Sequence, residues 1–284
     1  MLVNESDSCT IVARRDDPRG RRDSVQVESR SKVPHLLDCW QDVVLTIRRA
    51  KHLAVFVDLD GTLVPLRSRP SDVEPLNPPM RRVLRRLTKR KWIAVYVISG
   101  RRLSELRRLV RVRGIHLLGL HGWEGRVVSS LNDGRRAVRR AKRLLDRDLP
   151  MDGQVWVEDK GLGLAVHYRE ADSSAVRRAR SAVRNALSIF GSRLHVMQGH
   201  KVWELLPHEI DGKGAAACAV LATMPVGTLP IFAGDDTTDE SAFTALRDGL
   251  TIRVGNKVQT QARFILRDPE EVRVFLLKLE AELV

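Results

Sequence analysis

Cysteines, aromatic residues and long apolar runs are all scarce in this chain. Three cysteines, Cys9, Cys39 and Cys218, are scattered over 284 residues. An odd number at such wide spacing excludes a disulfide framework and a cysteine-based zinc site. No apolar run approaches the roughly 20 residues that a membrane-spanning helix needs. The N-terminus, Met-Leu-Val-Asn-Glu-Ser-Asp, has neither the basic nor the apolar region of a signal peptide. A reducing cytoplasm is therefore the simplest compartment to expect.

Aromatic residues make up only 5% of a chain whose formal net charge is +14. Residues 80–113 hold thirteen lysines and arginines against one acid, Glu105, and a second basic cluster runs from Arg135 to Arg147. A surface for single-stranded nucleic acid would interleave such charges with stacking rings. Here the arginines fall between Val83, Leu84 and Leu87, and again between Leu103, Leu106 and Val110. That spacing predicts amphipathic helices with solvated basic faces. Nucleic acid is not expected to be the main partner, although a small anionic substrate would be drawn to such a surface.

The chain is 43% hydrophobic, enough for a sizeable core. Residues 1–35 are polar and without periodicity, which predicts a disordered or loosely attached arm. Leu36, Leu37, Trp40, Val43, Val44 and Ile47 predict a lead-in helix over 36–51. Strands are then expected at Leu53–Val57, Trp92–Ile98 and Ile115–Leu118, with helices at Pro79–Lys91 and Arg101–Arg113 between them. The same order returns late: helix Gly212–Thr223, strand Leu229–Ala233, helix Thr237–Leu246, strand Leu250–Val254 and helix Pro269–Leu283. Continuous apolar strands separated by helices predict a parallel sheet covered on both faces.

The middle of the chain has a different order. Strands at Arg126–Ser130, Gln154–Glu158, Leu162–Tyr168, Leu194–Gln198 and Lys201–Leu206 surround helices at Gly134–Asp148 and Ser173–Phe190. That order predicts a compact α+β module with an antiparallel sheet. The expected organisation is thus an α/β core in two parts, 36–123 and 207–284, with a cap inserted at 124–206. Ligands of open parallel sheets bind outside the carboxyl ends of the strands. A cap there would close over the site and exclude water.

Four groups of residues fall at strand ends. Val55 to Val64 reads Val-Phe-Val-Asp-Leu-Asp-Gly-Thr-Leu-Val. It ends an apolar strand in two carboxylates, Asp58 and Asp60, followed by Thr62. Two acids at a buried strand end are costly unless something binds them. A hard cation such as Mg²⁺ would do so, and would leave one carboxylate as a nucleophile and the other as an acid. Ser99-Gly100-Arg101 can offer a hydroxyl and backbone N–H groups to a phosphate, and can equally be an ordinary N-cap. Lys213, between Gly212 and Gly214, can reach an anion or simply face solvent at a helix start. Asp235, Asp236, Asp239 and Glu240 place four acids within six positions, more than capping alone explains, and again suggest a metal. Two acids near a cation, a serine, a lysine and backbone amides make a site for phosphoryl transfer.

This ordered set resembles the haloacid dehalogenase superfamily of phosphatases. Within it the chain is similar to the trehalose-6-phosphate phosphatase family. The finer motifs are Gly119-Leu120-His121-Gly122-Trp123-Glu124, Glu158-Asp159-Lys160-Gly161 followed by Ala165-Val166-His167-Tyr168-Arg169, Lys201-Val202-Trp203-Glu204-Leu205, and Gly234 to Phe243. Val254-Gly255 with Thr260 and Ala262 also fits. The match covers about 50–280. Trp123 stands where the family usually has a small residue, and Leu59 where it often has an aromatic.

The resemblance implies a Rossmannoid core with an inserted cap and a Mg²⁺-dependent phosphatase acting on trehalose 6-phosphate. It implies that Asp58 is the nucleophile, forming a phosphoaspartyl intermediate, and Asp60 the acid and then the base. Asp58, the carbonyl of Asp60 and Asp235 would hold the metal, supported by Asp236 and Asp239. Thr62, Ser99, Gly100 and Lys213 would bind phosphate. Glu158, Lys160 and Glu204, with His121 and Arg101, would bind the sugar. The expected partner is a small sugar phosphate, with no membrane, and a monomer is the expected state. Two alternatives stay open: a phosphatase for another sugar phosphate, and a catalytically silent module binding sugar phosphate or nucleic acid.

Overall fold

The computed structural model describes residues 33–124, 132–149, 153–199, 201–256 and 259–282. The expected strand Arg126–Ser130 and residues 1–32 of the expected arm lie outside the described residues. In the first part of the chain α1 (Trp40–Arg49), β1 (Leu53–Val57), α2 (Pro78–Leu87), β2 (Ile93–Ile98), α3 (Leu103–Val110) and β3 (His116–Leu118) follow in order. A middle module comprises α4 (Asn132–Asp148), β4 (Trp156–Asp159), β5 (Leu164–His167), α5 (Ser173–Phe190), β6 (Leu194–Gly199) and β7 (Val202–Pro207). The chain closes with α6 (Lys213–Leu221), β8 (Leu229–Gly234), α7 (Glu240–Ala245), β9 (Leu250–Val254), β10 (Phe264–Leu266) and α8 (Pro269–Ala281).

The core sheet is parallel, in the order β10-β9-β8-β1-β2-β3. β1 lies inside it and all five of its residues are buried. Its alternate side chains serve two faces. Leu53, Val55 and Val57 pack with α1, α2 and α8, whereas Ala54 and Phe56 pack with Ala216 of α6 and Phe243 of α7. That is why this strand is apolar throughout rather than alternating. Its neighbours end level with it: Val57 sits opposite Val97 of β2 and Ala233 of β8. The loops after β1, β2 and β8 therefore leave the sheet at one edge.

The helices flanking the parallel sheet are shorter than their apolar patterns predict. α2 starts at Pro78, capped by the Asn77 side chain, which accepts from the Met80 N–H at 2.8 Å. It stops at Thr88, whose hydroxyl donates to the Arg85 carbonyl at 3.0 Å. α3 ends where Arg111 turns left-handed, at φ 50°. It begins at Leu103, not Arg101, because the Leu103 N–H is taken by the Glu124 carboxylate at 2.5 Å and the Arg101 carbonyl by the Leu120 N–H at 2.9 Å. The basic residues of α2 and α3, including Arg82, Arg85, Arg86, Arg107 and Arg108, are exposed as expected. Arg101 is not; it is buried.

β10 has no counterpart among the predicted strands. Three apolar residues are too few to carry a period, and pairing to β9 makes them a strand. Residues 34–36 are tied to its other side: the Ile265 N–H donates to the Pro34 carbonyl and the Leu36 N–H to the Ile265 carbonyl, each at 3.0 Å.

In the middle module β4-β5-β7-β6 form an antiparallel sheet. Ala137, Val138 and Ala141 of α4 and Ala179, Val183 and Ala186 of α5 pack on one face, against Val166, Trp203 and Leu205. The alternate residues face the core. Glu158, Ala165, Glu204 and Met197 stand opposite one another across the four strands. Trp123 joins the two halves, packing against Leu120 of the core and Leu162 of the module.

Candidate active site

Asp58, one residue past β1, is almost wholly buried. Its nearest partner is Lys213, whose ammonium lies 3.0 Å from Oδ1. Lys213 opens α6, where a positive charge opposes the helix dipole. Its place is explained by two carboxylates, since it also donates to Asp239 Oδ1 at 2.8 Å. Burial alone would depress the Lys213 pKa, but Asp239 and Asp58 more than reverse this and hold it well above the ordinary lysine range.

Carboxylate oxygens of Asp58, Asp235 and Asp239 lie within 4.8 Å of one another. Three acids thus share one lysine. Burial, then repulsion from its neighbours, pushes the Asp235 carboxyl up to about 7. Burial raises Asp58 well above the usual range too, with Lys213 opposing and the surrounding acids adding to the rise. The fully ionised cluster is therefore short of positive charge. A hard divalent cation with oxygen ligands fits this donor set.

Gly61 makes the cluster possible. Its φ is +80°, and a Cβ there would fall 2.2 Å from the Asp235 carboxylate. Thr62 is fully buried, and its hydroxyl donates to Asp235 Oδ1 at 3.4 Å. The second acidic segment divides its labour. Asp239 is fully buried and accepts from the Asp236 N–H at 2.9 Å, while Asp236 accepts from the Thr237 N–H at 2.7 Å. Glu240 accepts from the Gln261 N–H at 2.8 Å and pairs with Arg253 at 3.2 Å. So two of the four acids join the cluster, and Asp239, expected behind it, stands in it. Among the described residues, Asp236 and Glu240 hold backbone and an arginine.

Asp60 turns away from these acids. Arg101 grips its carboxylate with two hydrogen bonds, Nε to Oδ2 at 2.6 Å and Nη2 to Oδ1 at 2.8 Å. Arg101 also reaches Glu105 at 3.3 Å and the Pro70 carbonyl at 3.0 Å. Ser99 is buried at the end of β2, its Oγ accepting from the Arg101 N–H at 3.3 Å.

The loop after β3 folds back over this turn. Leu120 and His121 are both left-handed, at φ 47° and 57°. Backbone hydrogen bonds from Leu120 to Arg101 and from His121 to Ser99, each 2.9 Å, hold them there. Consecutive non-glycine residues in this region store strain, a recurrent feature of functional sites. The His121 ring then sits where a side chain on Gly100 would clash, 2.9 Å from its Cβ.

His121 Nε2 hydrogen-bonds with Glu204 of the antiparallel module, and Lys160 donates to the other Glu204 oxygen. Lys160 also donates to the Gly100 carbonyl at 3.0 Å. All three side chains are buried, so they clasp the module onto the core. Burial alone would raise the Glu204 pKa; Lys160 and His121 more than reverse it, holding the carboxyl well below the usual range. Glu158 is held by His167 at 2.9 Å.

One cleft, about 910 Å³ with its open mouth, runs between core and module. It brings together Asp60, Ser99, Gly100, Arg101, His121, Glu158, Lys160, Glu204, Lys213, Asp235 and Asp236. Arg253 is the functional residue that sequence reasoning missed. It is buried in β9 and donates to the backbone carbonyls of Asp235 and Asp236, fixing the acidic loop. A charged residue inside an otherwise apolar strand, Leu-Thr-Ile-Arg-Val, was the available signal.

The parallel sheet with acids at adjacent strand tips and an antiparallel module above them is the fold of a haloacid dehalogenase-like hydrolase from Bacteroides thetaiotaomicron, which superposes with a TM-score of 0.55 at 17% identity, covering 81% of this chain and 99% of that one. The trehalose-phosphatase family model matches residues 56–269, and the chain belongs to that family. It is accordingly a phosphoric monoester hydrolase. Probable trehalose-phosphate phosphatase H of Arabidopsis thaliana is 28% identical over 272 residues, covering 87% of this chain and 76% of that protein. Trehalose-phosphate phosphatase of Mycobacterium leprae is 34% identical over 280 residues, covering 89% of this chain and 63% of that protein. Among solved structures, the C-terminal domain of the C. albicans trehalose-6-phosphate phosphatase superposes with a TM-score of 0.75 at 20% identity, covering 89% of this chain and 99% of that one. At that identity the likeness speaks for the fold.

Proposed function

We propose that the protein hydrolyses trehalose 6-phosphate to trehalose and phosphate, with Mg²⁺ as its metal. The observation that carries this is the single cleft in which Ser99, Lys213 and Asp235 of the core face Glu158, Lys160 and Glu204 of the cap. Asp58, the backbone carbonyl of Asp60 and Asp235 would hold the cation, with Asp239 beside them in the cluster and Asp236 in support through the backbone it holds. When bound, it supplies positive charge to the phosphoryl oxygens.

Asp58 forms a bond to phosphorus as the bond from phosphorus to the sugar oxygen breaks. A proton from Asp60 goes to that leaving oxygen. Asp60 then takes a proton from water, whose oxygen bonds to phosphorus while the Asp58 ester breaks. Phosphate leaves and Asp58 returns to its starting state. Lys213, Ser99, the Gly100 N–H and Thr62 position the phosphoryl group. Asp60 starts in the grip of Arg101, so the pair must loosen before the proton moves. That release frees Arg101 for the substrate. Sugar hydroxyls would likewise exchange with the contacts that Lys160, Glu204 and His121 make to one another.

A second reading, another sugar phosphate, keeps the chemistry and changes only the fit to the cap. Comparing kcat/KM across a panel of sugar phosphates decides between them. Trehalose 6-phosphate should exceed the monosaccharide phosphates by about 100-fold or more, because buried polar groups left unpaired by the wrong sugar are costly. Equal rates across the panel would refute a site built for this disaccharide.

A further inference from the structure

The cleft does not end at Glu158. Glu158 and Pro70 also line a second, outer cavity of about 1240 Å³ with its open mouth. Its cap wall carries Trp156, an aromatic left 38% exposed in a chain that has few. The hydrolysis derived above gives this ring no part.

Trp156 is nonetheless held firmly. It stands opposite His167 across β4 and β5, with the rings stacked at 3.9 Å and 14°. His167 in turn hydrogen-bonds with Glu158 at 2.9 Å. Trp156 and Glu158 are two residues apart on one strand and so share a face. Leaving a rigid apolar ring in water gains nothing for the fold, while a ligand meeting it loses little freedom by docking there. The core wall supplies Ser71, Glu105 and Arg108. Counting Arg69, two arginines face two glutamates around this cavity. With charges in balance it has no excess of positive charge to select an anion. A flat aromatic wall with a ring of donors and acceptors suits a neutral pyranose, whose C–H face is apolar and whose edge is hydroxylated.

We propose that the outer cavity is a subsite for the second sugar ring of the leaving group, with Trp156 as its platform. The proposal rests on the sugar-phosphatase reading of the inner site and deepens it. The test compares wild type, Trp156→Ala and Trp156→Phe on trehalose 6-phosphate and on glucose 6-phosphate, which lacks the second ring. Trp156→Ala should lower kcat/KM for trehalose 6-phosphate about tenfold or more and leave glucose 6-phosphate unchanged. Trp156→Phe should recover most of the loss, and the unchanged rate on glucose 6-phosphate separates a lost subsite from a folding defect. Equal losses on both substrates, or no loss on either, would overturn the subsite. Should wild type turn over neither ester, the reading of the inner site fails, and calorimetric binding of neutral trehalose then judges the outer one. Binding by wild type that Trp156→Ala abolishes supports it; no binding, or equal binding by both, overturns it.

Discussion

At the scale of single residues, the site is organised by one lysine among three clustered acids, of which Asp58 and Asp239 are buried. Lys213 is 2% exposed and within 3.0 Å of both Asp58 and Asp239. Replacing it by methionine keeps the volume and removes the charge. Lys213→Met should cost about 3–5 kcal/mol in urea unfolding, because breaking a buried pair strands its partners. Phosphatase activity should disappear with it; a variant of wild-type stability would mean that the ammonium does not balance these carboxylates. The sequence made Asp58 and Asp60 visible as charges where charge is costly, and Lys213 as a lysine between glycines that could reach an anion or face solvent. It could not show which partner each would take. Asp60 lies with Arg101, across the turn from β2, and Asp239 enters the acid cluster because a 3-10 turn at Thr237–Asp239 swings it inward. Such pairings depend on loop geometry that one-dimensional spacing does not encode. Arg253 was hidden for a related reason, since it lies in β9 and acts on the backbone of a different loop.

At the scale of elements, the legible features were those with a period. β1, β9 and α5 begin and end where their apolar patterns place them. α2 stops early where the Thr88 hydroxyl takes the Arg85 carbonyl, and α3 starts late because the Glu124 carboxylate takes the Leu103 N–H. The contact between cap and core is an element-scale property and was not legible as such. His121, Lys160 and Glu204 line the cleft where a sugar was expected, and there they pair with one another across the two halves. The clasp predicts a particular pH dependence. The Glu204 carboxyl is depressed in the folded protein, so its contribution is complete above its ordinary value near 4.5 and is lost as pH falls through the folded value. Glu204→Gln should therefore be less stable than wild type by about 1.5–3 kcal/mol near neutrality. The gap should narrow steadily as the pH is lowered below about 4, read by denaturant unfolding of both proteins. A gap independent of pH would show that the clasp does not rest on an ionised Glu204.

At the scale of the whole molecule, the parallel sheet supplies the chemistry and the inserted cap supplies the walls. Charge follows the same division. Basic residues cover the outer faces of α2 and α3, while Asp58, Asp235 and Asp239 gather at the strand tips. The proposed reaction turns on Asp58, at the tip of β1, attacking phosphorus with the help of a divalent cation held by its neighbours. The most direct measurement is phosphate release from trehalose 6-phosphate by wild type and by Asp58→Asn, each with Mg²⁺ and with EDTA. Wild type should turn over with Mg²⁺ and lose that turnover in EDTA, and Asp58→Asn should run about 1,000-fold or more below Mg²⁺-loaded wild type in either condition. Turnover by Asp58→Asn at the wild-type rate would contradict attack by Asp58.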